Sequence, residues 1–262
     1  MRKIIIDTDP GIDDTMALYV ALNSPELDVI GLTTVYGNTS NIQGTENALR
    51  ILQKAEMSHI QVHTGASKPL ATKYIGMGGV VHGVDGQGNS NLETPDTVAS
   101  KITAVEFMKN KINEFPGEIT LVPIGPLTNI AELFLKYPDI DQKINEIVLM
   151  GGNALSQGNA SPSAEANIKN DPESANIIFK SKTKITMVGL DVTNEVFMNA
   201  SDIDEICNYG TVATNHLKVI LPHYVEFLSK FYDKPGMPIH DSSAIAYLVN
   251  NNLFKTIQYP VV

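Results

Sequence analysis

The chain has 262 residues, 43% of them hydrophobic and 18% charged, which excludes a disordered or purely solvating polypeptide. Lys+Arg number 19 against 29 Asp+Glu, a net charge of −10 with no compensating basic run, so a nucleic-acid polymer, whose counterions clustered cations must displace, is excluded as a partner. The single cysteine, Cys207, rules out an internal disulfide and fits a reducing compartment.

Met1-Arg2-Lys3 begins like a signal peptide, but the apolar run Ile4-Ile5-Ile6 stops at Asp7. A secretory segment needs roughly 7–15 apolar residues and a membrane span roughly 20. The expectation is a soluble, cytoplasmic protein with no membrane partner, whose sequons at Asn38, Asn159 and Asn199 carry no glycan. Short β-rich runs at residues 3–6, 29–35, 60–64, 119–124, 146–150 and 185–190 read as buried strands. Residues 14–22, 42–54, 99–115, 127–135 and 172–180 read as helices. Ser40 with Gln43 makes a capping box, and Asp171-Pro172 sets a cap before a first-turn proline. This alternation predicts an α/β fold, a mostly parallel central sheet flanked by helices, in a single domain over 1–262. Residues 201–247 read as purely helical and are expected to lie on the sheet as a C-terminal lid. Two glycine-rich stretches, 65–98 with Gly76-Met77-Gly78-Gly79 and His82-Gly83-Val84-Asp85-Gly86, and 151–170, are too long for simple connections and are expected to carry function.

The most informative segment is Asp7-Thr8-Asp9-Pro10-Gly11-Ile12-Asp13-Asp14, at the carboxyl end of the first strand. Capping the following helix would use one of these acids and leave Asp7 and Asp9 unexplained. Two carboxylates about 4 Å apart repel by roughly 4 kcal/mol at an effective dielectric near 20, so the group calls for a cation. All-oxygen donors with no neighbouring Cys/His pair disfavour zinc, copper and iron–sulfur, and leave calcium or magnesium. The spacing is not that of an EF-hand loop. Ligands of open α/β sheets bind beyond the carboxyl ends of the strands. That rule also collects Tyr36-Gly37-Asn38, Gly125-Pro126-Leu127-Thr128-Asn129, the 151–170 loop with Asn159, Glu165 and Asn167, and His240-Asp241. Neutral amides and a lone carboxylate suit a polyol such as a sugar; a phosphate would call for Arg, Lys or a nest of amides.

Taken together, Asp7–Asp14, Tyr36-Gly37-Asn38, His82-Gly83-Val84-Asp85-Gly86, Gly125–Asn129, Met150-Gly151-Gly152, Gly158-Asn159, Ala164-Glu165-Ala166-Asn167 and His240-Asp241 resemble, in order along nearly the whole chain, the motifs of the inosine/uridine-preferring nucleoside hydrolase family. The resemblance implies a Rossmann-like fold and hydrolysis of the N-glycosidic bond of a purine or pyrimidine ribonucleoside around Ca²⁺. It implies Asp9, Asp14, Asp241 and the Ile124 carbonyl as ligands of the ion, with ribose hydroxyls and a water completing a shell of about eight oxygens. It further implies Asp13 as general base, Asp7 as a group orienting the ligands, and His240 as the acid that protonates the leaving base, with His82 as a second contributor. Asn38, Asn159, Glu165 and Asn167 would hold the ribose. Of the aromatic residues Tyr224, Phe227, Phe231 and Tyr232, any could stack on the base, and Tyr232 is the one expected to. A homodimer or homotetramer is expected.

The chain departs from the family pattern in three ways. Ala166 stands where an aromatic residue is usual, tryptophan is absent, and the chain stops at Tyr259-Pro260-Val261-Val262, which reads as entering a strand, so the family's C-terminal strands are expected to be missing. Two alternatives compete. A haloacid-dehalogenase-like phosphohydrolase would use Asp7 as nucleophile and Asp9 as acid; a non-catalytic sensor would hold calcium and ribose without cleavage.

Overall fold

A computed structural model describes residues 1–71, 73–74, 78–232 and 235–261; Gly76 and Met77 of the glycine-rich stretch, and Val262, lie outside the described residues. In chain order the elements are β1 (Arg2–Thr8), α1 (Ile12–Leu22), β2 (Leu27–Thr34), α2 (Asn41–Lys54), β3 (Val62–Thr64), α3 (Gly78–Val81), α4 (Ala104–Glu114), β4 (Thr120–Pro123) and α5 (Thr128–Lys136). There follow β5 (Glu146–Met150), α6 (Ala166–Asn170), α7 (Pro172–Phe179), β6 (Ile185–Val188), α8 (Leu190–Thr193), β7 (Phe197–Asn199), α9 (Ala200–Cys207), α10 (Val212–Leu228), β8 (Gly236–Pro238) and α11 (Asp241–Val249).

Six strands form one sheet in the order β3-β2-β1-β4-β5-β6, every neighbouring pair parallel. The order reverses direction between β1 and β4, so the crevice where such sheets take their ligands opens beyond Thr8 and Pro123. Along β1 the side chains alternate: Ile4 and Ile6 enter one apolar layer and Ile5 the other. The first layer joins the sheet to α1, α2, α10 and α11; the second joins it to α4, α5 and α7. Ile4, Ile5 and Ile6 are fully buried, each worth roughly 1.5–3 kcal/mol relative to exposure.

The helix starts obey local chemistry. Ser40 Oγ accepts the Gln43 amide at 3.2 Å, and Asp171 Oδ1 accepts the Ser174 amide at 3.1 Å ahead of Pro172. Two expectations for the C-terminal third are corrected. It is not purely helical, because β7 and β8 pair as an antiparallel ribbon. Nor is it a lid: Leu217, Ile220, Leu221, Ala244 and Ile245 of α10 and α11 are buried in the same layer as α1, so these helices complete a core. Of the segment 259–262, read as entering a strand, the described residues 259–261 form none. Among the described residues no helix is long and apolar enough to cross a membrane.

Candidate active site

The turn from β1 into α1 brings Asp9, Asp13 and Asp14 to the switch point, because the chain must leave the sheet there. Gly11 is the N-cap, and Asp14, at the third helical position, reaches back to accept the Gly11 amide at 2.9 Å. Asp14 is held by three more donors: Thr8 Oγ1 at 2.6 Å, the Asp9 amide at 3.3 Å and Asn38 Nδ2 at 2.8 Å. Asp9 Oδ2 accepts the Asn38 amide at 2.7 Å, whereas its Oδ1 is buried and has no hydrogen-bond partner. Asp13 Oδ2 accepts from Tyr224 Oη at 3.2 Å, and its Oδ1 accepts the Asp14 amide at 3.2 Å.

Asp241, 228 residues after Asp13 in the chain, arrives at the head of α11. One carboxylate oxygen from each of Asp13, Asp14 and Asp241 lies within 4.8 Å of the other two, and all three residues are buried. Asp9 is outside that compact trio, yet close enough for its charge to act on Asp241. Burial, then the neighbouring carboxylates, pushes the carboxyls of Asp9 and Asp241 well above the ordinary range. Burial also raises Asp13 to about 6, and burial followed by Asp13 raises Asp14. Four buried acids with one orphaned oxygen, and oxygen donors throughout, fit a hard divalent cation.

Around this cluster, the Ile124 carbonyl accepts Asn167 Nδ2 at 3.0 Å and keeps a second lone pair. Glu165 caps α6 and accepts the amides of Gly152 (2.9 Å), Asn167 (2.8 Å) and Ile168 (3.1 Å). Asn159 sits apart, exposed on its loop, with Oδ1 accepting the Ala166 amide at 2.9 Å. Ala166 opens α6, so its amide is bonded although the usual aromatic side chain is missing.

His82 stacks on Tyr224 with ring centroids 5.2 Å apart, and its Nδ1 accepts the Ile12 amide at 3.2 Å. An accepting Nδ1 cannot also donate to Asp13 Oδ1, 3.7 Å away, so this approach is not an ion pair. Burial lowers the His82 imidazole to about 4, against the raising effect of Asp14. His240 Nδ1 lies 2.8 Å from Thr193 Oγ1, and burial, then His82, lowers it to about 4. Tyr232 packs, half-buried, on Phe197 at 5.5 Å between centroids. Asp7 Oδ1 accepts Thr33 Oγ1 at 2.6 Å and Asn129 Nδ2 at 2.7 Å, tying β2 and α5 to β1, and its Oδ2 is buried with no hydrogen-bond partner.

Sequence reading missed three features of the site. Tyr224, one of the aromatic residues offered for base stacking, is also a donor to Asp13. Thr193 was overlooked because 185–190 read as strand; with the end of β6 at Val188, the strand-end rule points at residues 189–193. Gly37 and Gly125 press so closely on the Asp9 carboxylate that a methyl group at either would overlap it, which no local pattern announces.

The chain is similar to known proteins over nearly all of its length. A family model described as "Inosine-uridine preferring nucleoside hydrolase" matches residues 4–262. "Probable uridine nucleosidase 2" of Arabidopsis thaliana is 41% identical over 254 residues, 97% of this chain and 79% of that protein. Among solved structures, a plant nucleoside hydrolase, the PpNRh1 enzyme, superposes with a TM-score of 0.94 at 38% identity, covering 97% of this chain and 80% of that one. A purine-preferring ribonucleoside hydrolase from Gardnerella vaginalis gives 0.94 at 33% identity, covering 99% and 83%.

Proposed function

The chain belongs to the inosine-uridine preferring nucleoside hydrolase family, and from that premise we propose that it is a Ca²⁺-dependent enzyme acting on pyrimidine ribonucleosides, uridine foremost. That it hydrolyses ribonucleoside N-glycosidic bonds follows from family membership; the ion and the preferred base are our reading. The observation that carries it is the buried trio Asp13, Asp14 and Asp241 beside the orphaned Oδ1 of Asp9. Asp9, Asp14, Asp241 and the Ile124 carbonyl would hold the cation. When bound, it supplies charge to neutralise the acids, a grip on ribose hydroxyls, and a lowered pKa for water.

The residues divide the remaining work. Asp13, raised to about 6 by burial, has the basicity of a general base that works near neutral pH, and Tyr224 and the Asp14 amide aim its oxygens. Asn38, Glu165 and Asn167 would bind the ribose hydroxyls, joined by Asn159 as its loop settles on substrate. Their oxygens, with the carboxylates, would stabilise the positive charge that builds on the sugar in an oxocarbenium-like transition state. His240 would protonate the departing base from Nε2 of its imidazolium form, in which Nδ1–H donates to the Thr193 hydroxyl; burial, which favours the neutral ring, opposes that form in the free protein. His82 would assist, and Tyr232 would contact the base.

The preference for uracil draws on the 41% identity to a protein named as a uridine nucleosidase; a purine-preferring relative at 33% keeps purines in the test. The phosphohydrolase alternative needs Asp7 as nucleophile, and Asp7 has one oxygen bound to Thr33 and Asn129 and the other buried from solvent. The test is reducing-sugar release from uridine, cytidine, inosine and adenosine, with Ca²⁺ or with EDTA. Uridine should be cleaved fastest and EDTA should abolish turnover. Full activity in EDTA would refute the ion, and faster cleavage of inosine would refute the base preference.

A further inference from the structure

The four-residue helix α8 beside the site is bonded to three separate parts of it. In α8, the Leu190 amide donates to the Gly152 carbonyl at 2.9 Å, and Thr193 Oγ1 meets His240 Nδ1 at 2.8 Å. Between them, the Asp191 carboxylate accepts three consecutive backbone N–H groups: Ala154 at 2.7 Å on Oδ2, then Leu155 at 2.6 Å and Ser156 at 2.8 Å on Oδ1. Successive amides converging on one anion make a nest, filled here by a side chain of the protein itself. Hydrogen bonds to an ionised acceptor are shorter and stronger than neutral ones, as these distances reflect. Burial works against the charged form of Asp191, but the amides together outweigh it and hold the carboxyl below its ordinary value.

Little else fixes that part of the chain. Residues 151–165 have no regular secondary structure, and Leu155 is 84% exposed, so apolar burial does not anchor the turn. Asn153 Nδ2 donates to the Ser156 carbonyl at 2.8 Å, a bond internal to the turn. The loop then runs through Asn159 to Glu165, where the Asn159–Ala166 and Glu165–Gly152 bonds pin its far end. At the near end Gly152 is held by Leu190 and Glu165, and the turn that follows, residues 154–156, depends on Asp191.

We propose that Asp191 is a positioning residue for substrate binding: by gathering the N–H groups of Ala154, Leu155 and Ser156 it sets the path of the loop that carries Asn159 and Glu165. The inference rests on the ribose-binding role proposed above for those two residues. An asparagine at this position keeps one acceptor oxygen but turns an N–H₂ group toward the backbone donors; an alanine keeps no acceptor.

The test compares the intact protein with Asp191→Asn and Asp191→Ala in two assays, uridine hydrolysis in excess Ca²⁺ and amide hydrogen exchange without nucleoside. In Asp191→Ala, exchange at residues 154–156 should quicken by about tenfold or more, the signature of local opening. KM should rise about tenfold while kcat changes by less than about threefold, the pattern of lost ground-state binding. Asp191→Asn should fall between wild type and alanine in both assays. Unchanged exchange in Asp191→Ala overturns the clamp, and faster exchange with an unchanged KM overturns its link to substrate. An equal fall in kcat with KM untouched overturns it as well. A wild-type protein that cleaves no nucleoside would refute the functional reading, whereas unchanged exchange in an active enzyme refutes the Asp191 assignment alone.

Discussion

Asp13 has the one carboxylate of the acidic group with a phenol and a backbone amide both aimed at it, while its neighbours Asp14 and Asp241 crowd it with like charge. Adjacent residues of a helix do not share a face, so Asp14 can turn toward Thr8 and Asn38 while Asp13 turns toward Tyr224. The burial that raises Asp13 to about 6 destabilises the fold at neutral pH, because an ionised acid is held away from water. Catalysis and stability therefore pull in opposite directions at this residue. Asp13→Asn keeps the shape and an acceptor for Tyr224 but cannot take a proton. Its kcat on uridine should fall by about 10²–10⁴-fold with KM within a few-fold of wild type. Its melting temperature in EDTA should equal or exceed that of wild type. A near-normal kcat would remove Asp13 from the role of base.

At the scale of elements, the site depends on how tightly the turns after β2 and β4 close on Asp9. A Cβ at Gly37 would overlap Asp9 Oδ2 and come within 3.0 Å of Pro126 Cδ, so the carboxylate itself must move. Gly37→Ala should weaken Ca²⁺ affinity by at least about tenfold, or about 1.4 kcal/mol, in titration calorimetry. Gly79→Ala, whose methyl would meet nothing nearer than 3.9 Å, should stay within about a factor of two. An unaltered affinity in Gly37→Ala would mean that Asp9 does not hold the ion. Sequence patterning reads the strands well where burial on both faces makes them continuously apolar: β5 falls on residues 146–150 as expected. It fails at β6, where Leu190 prolongs the apolar run past a turn that Gly189 makes, hiding α8 and with it Asp191 and Thr193. It fails again at β7 and β8, three residues each, too short to display a period of two. The helical period of α10 and α11 announces a buried face but not its partner, so a piece of core passed for a lid. The acidic motif was legible because capping one helix leaves Asp7 and Asp9 unexplained, and the histidine–aspartate pair because it fits the family pattern; their convergence required the sheet order.

For the molecule as a whole, the acidic cluster makes stability depend on pH in a way the proposed cation should reverse. A carboxyl raised in the folded state contributes stability below its unfolded value and loses it as pH rises through the folded one. Asp7 (about 7), Asp13 (about 6), and Asp9 and Asp241, well above the ordinary range, all act in this direction. His82 and His240, lowered from 6.5 to about 4, act oppositely, adding stability as pH climbs between those values. The two sets offset each other below about pH 6.5, and above it the carboxylates act without that opposition. In EDTA, the melting temperature should therefore decline from about pH 6.5 to 8.5. A cation that neutralises the acids in the fold removes the reason for the decline. At a hundred times its Kd it adds about 2.7 kcal/mol, several degrees for a chain of this size at about 2–4 °C per kcal/mol. Mg²⁺, held to six ligands at short distances, should give a smaller shift than Ca²⁺ in a site of flexible carboxylates and a carbonyl. Thermal scans in EDTA, Ca²⁺ and Mg²⁺ across this range decide the matter. A melting curve that ignores Ca²⁺ at every pH would leave the buried acids without the ion that explains them, and an equal response to Mg²⁺ would assign the site to the smaller cation.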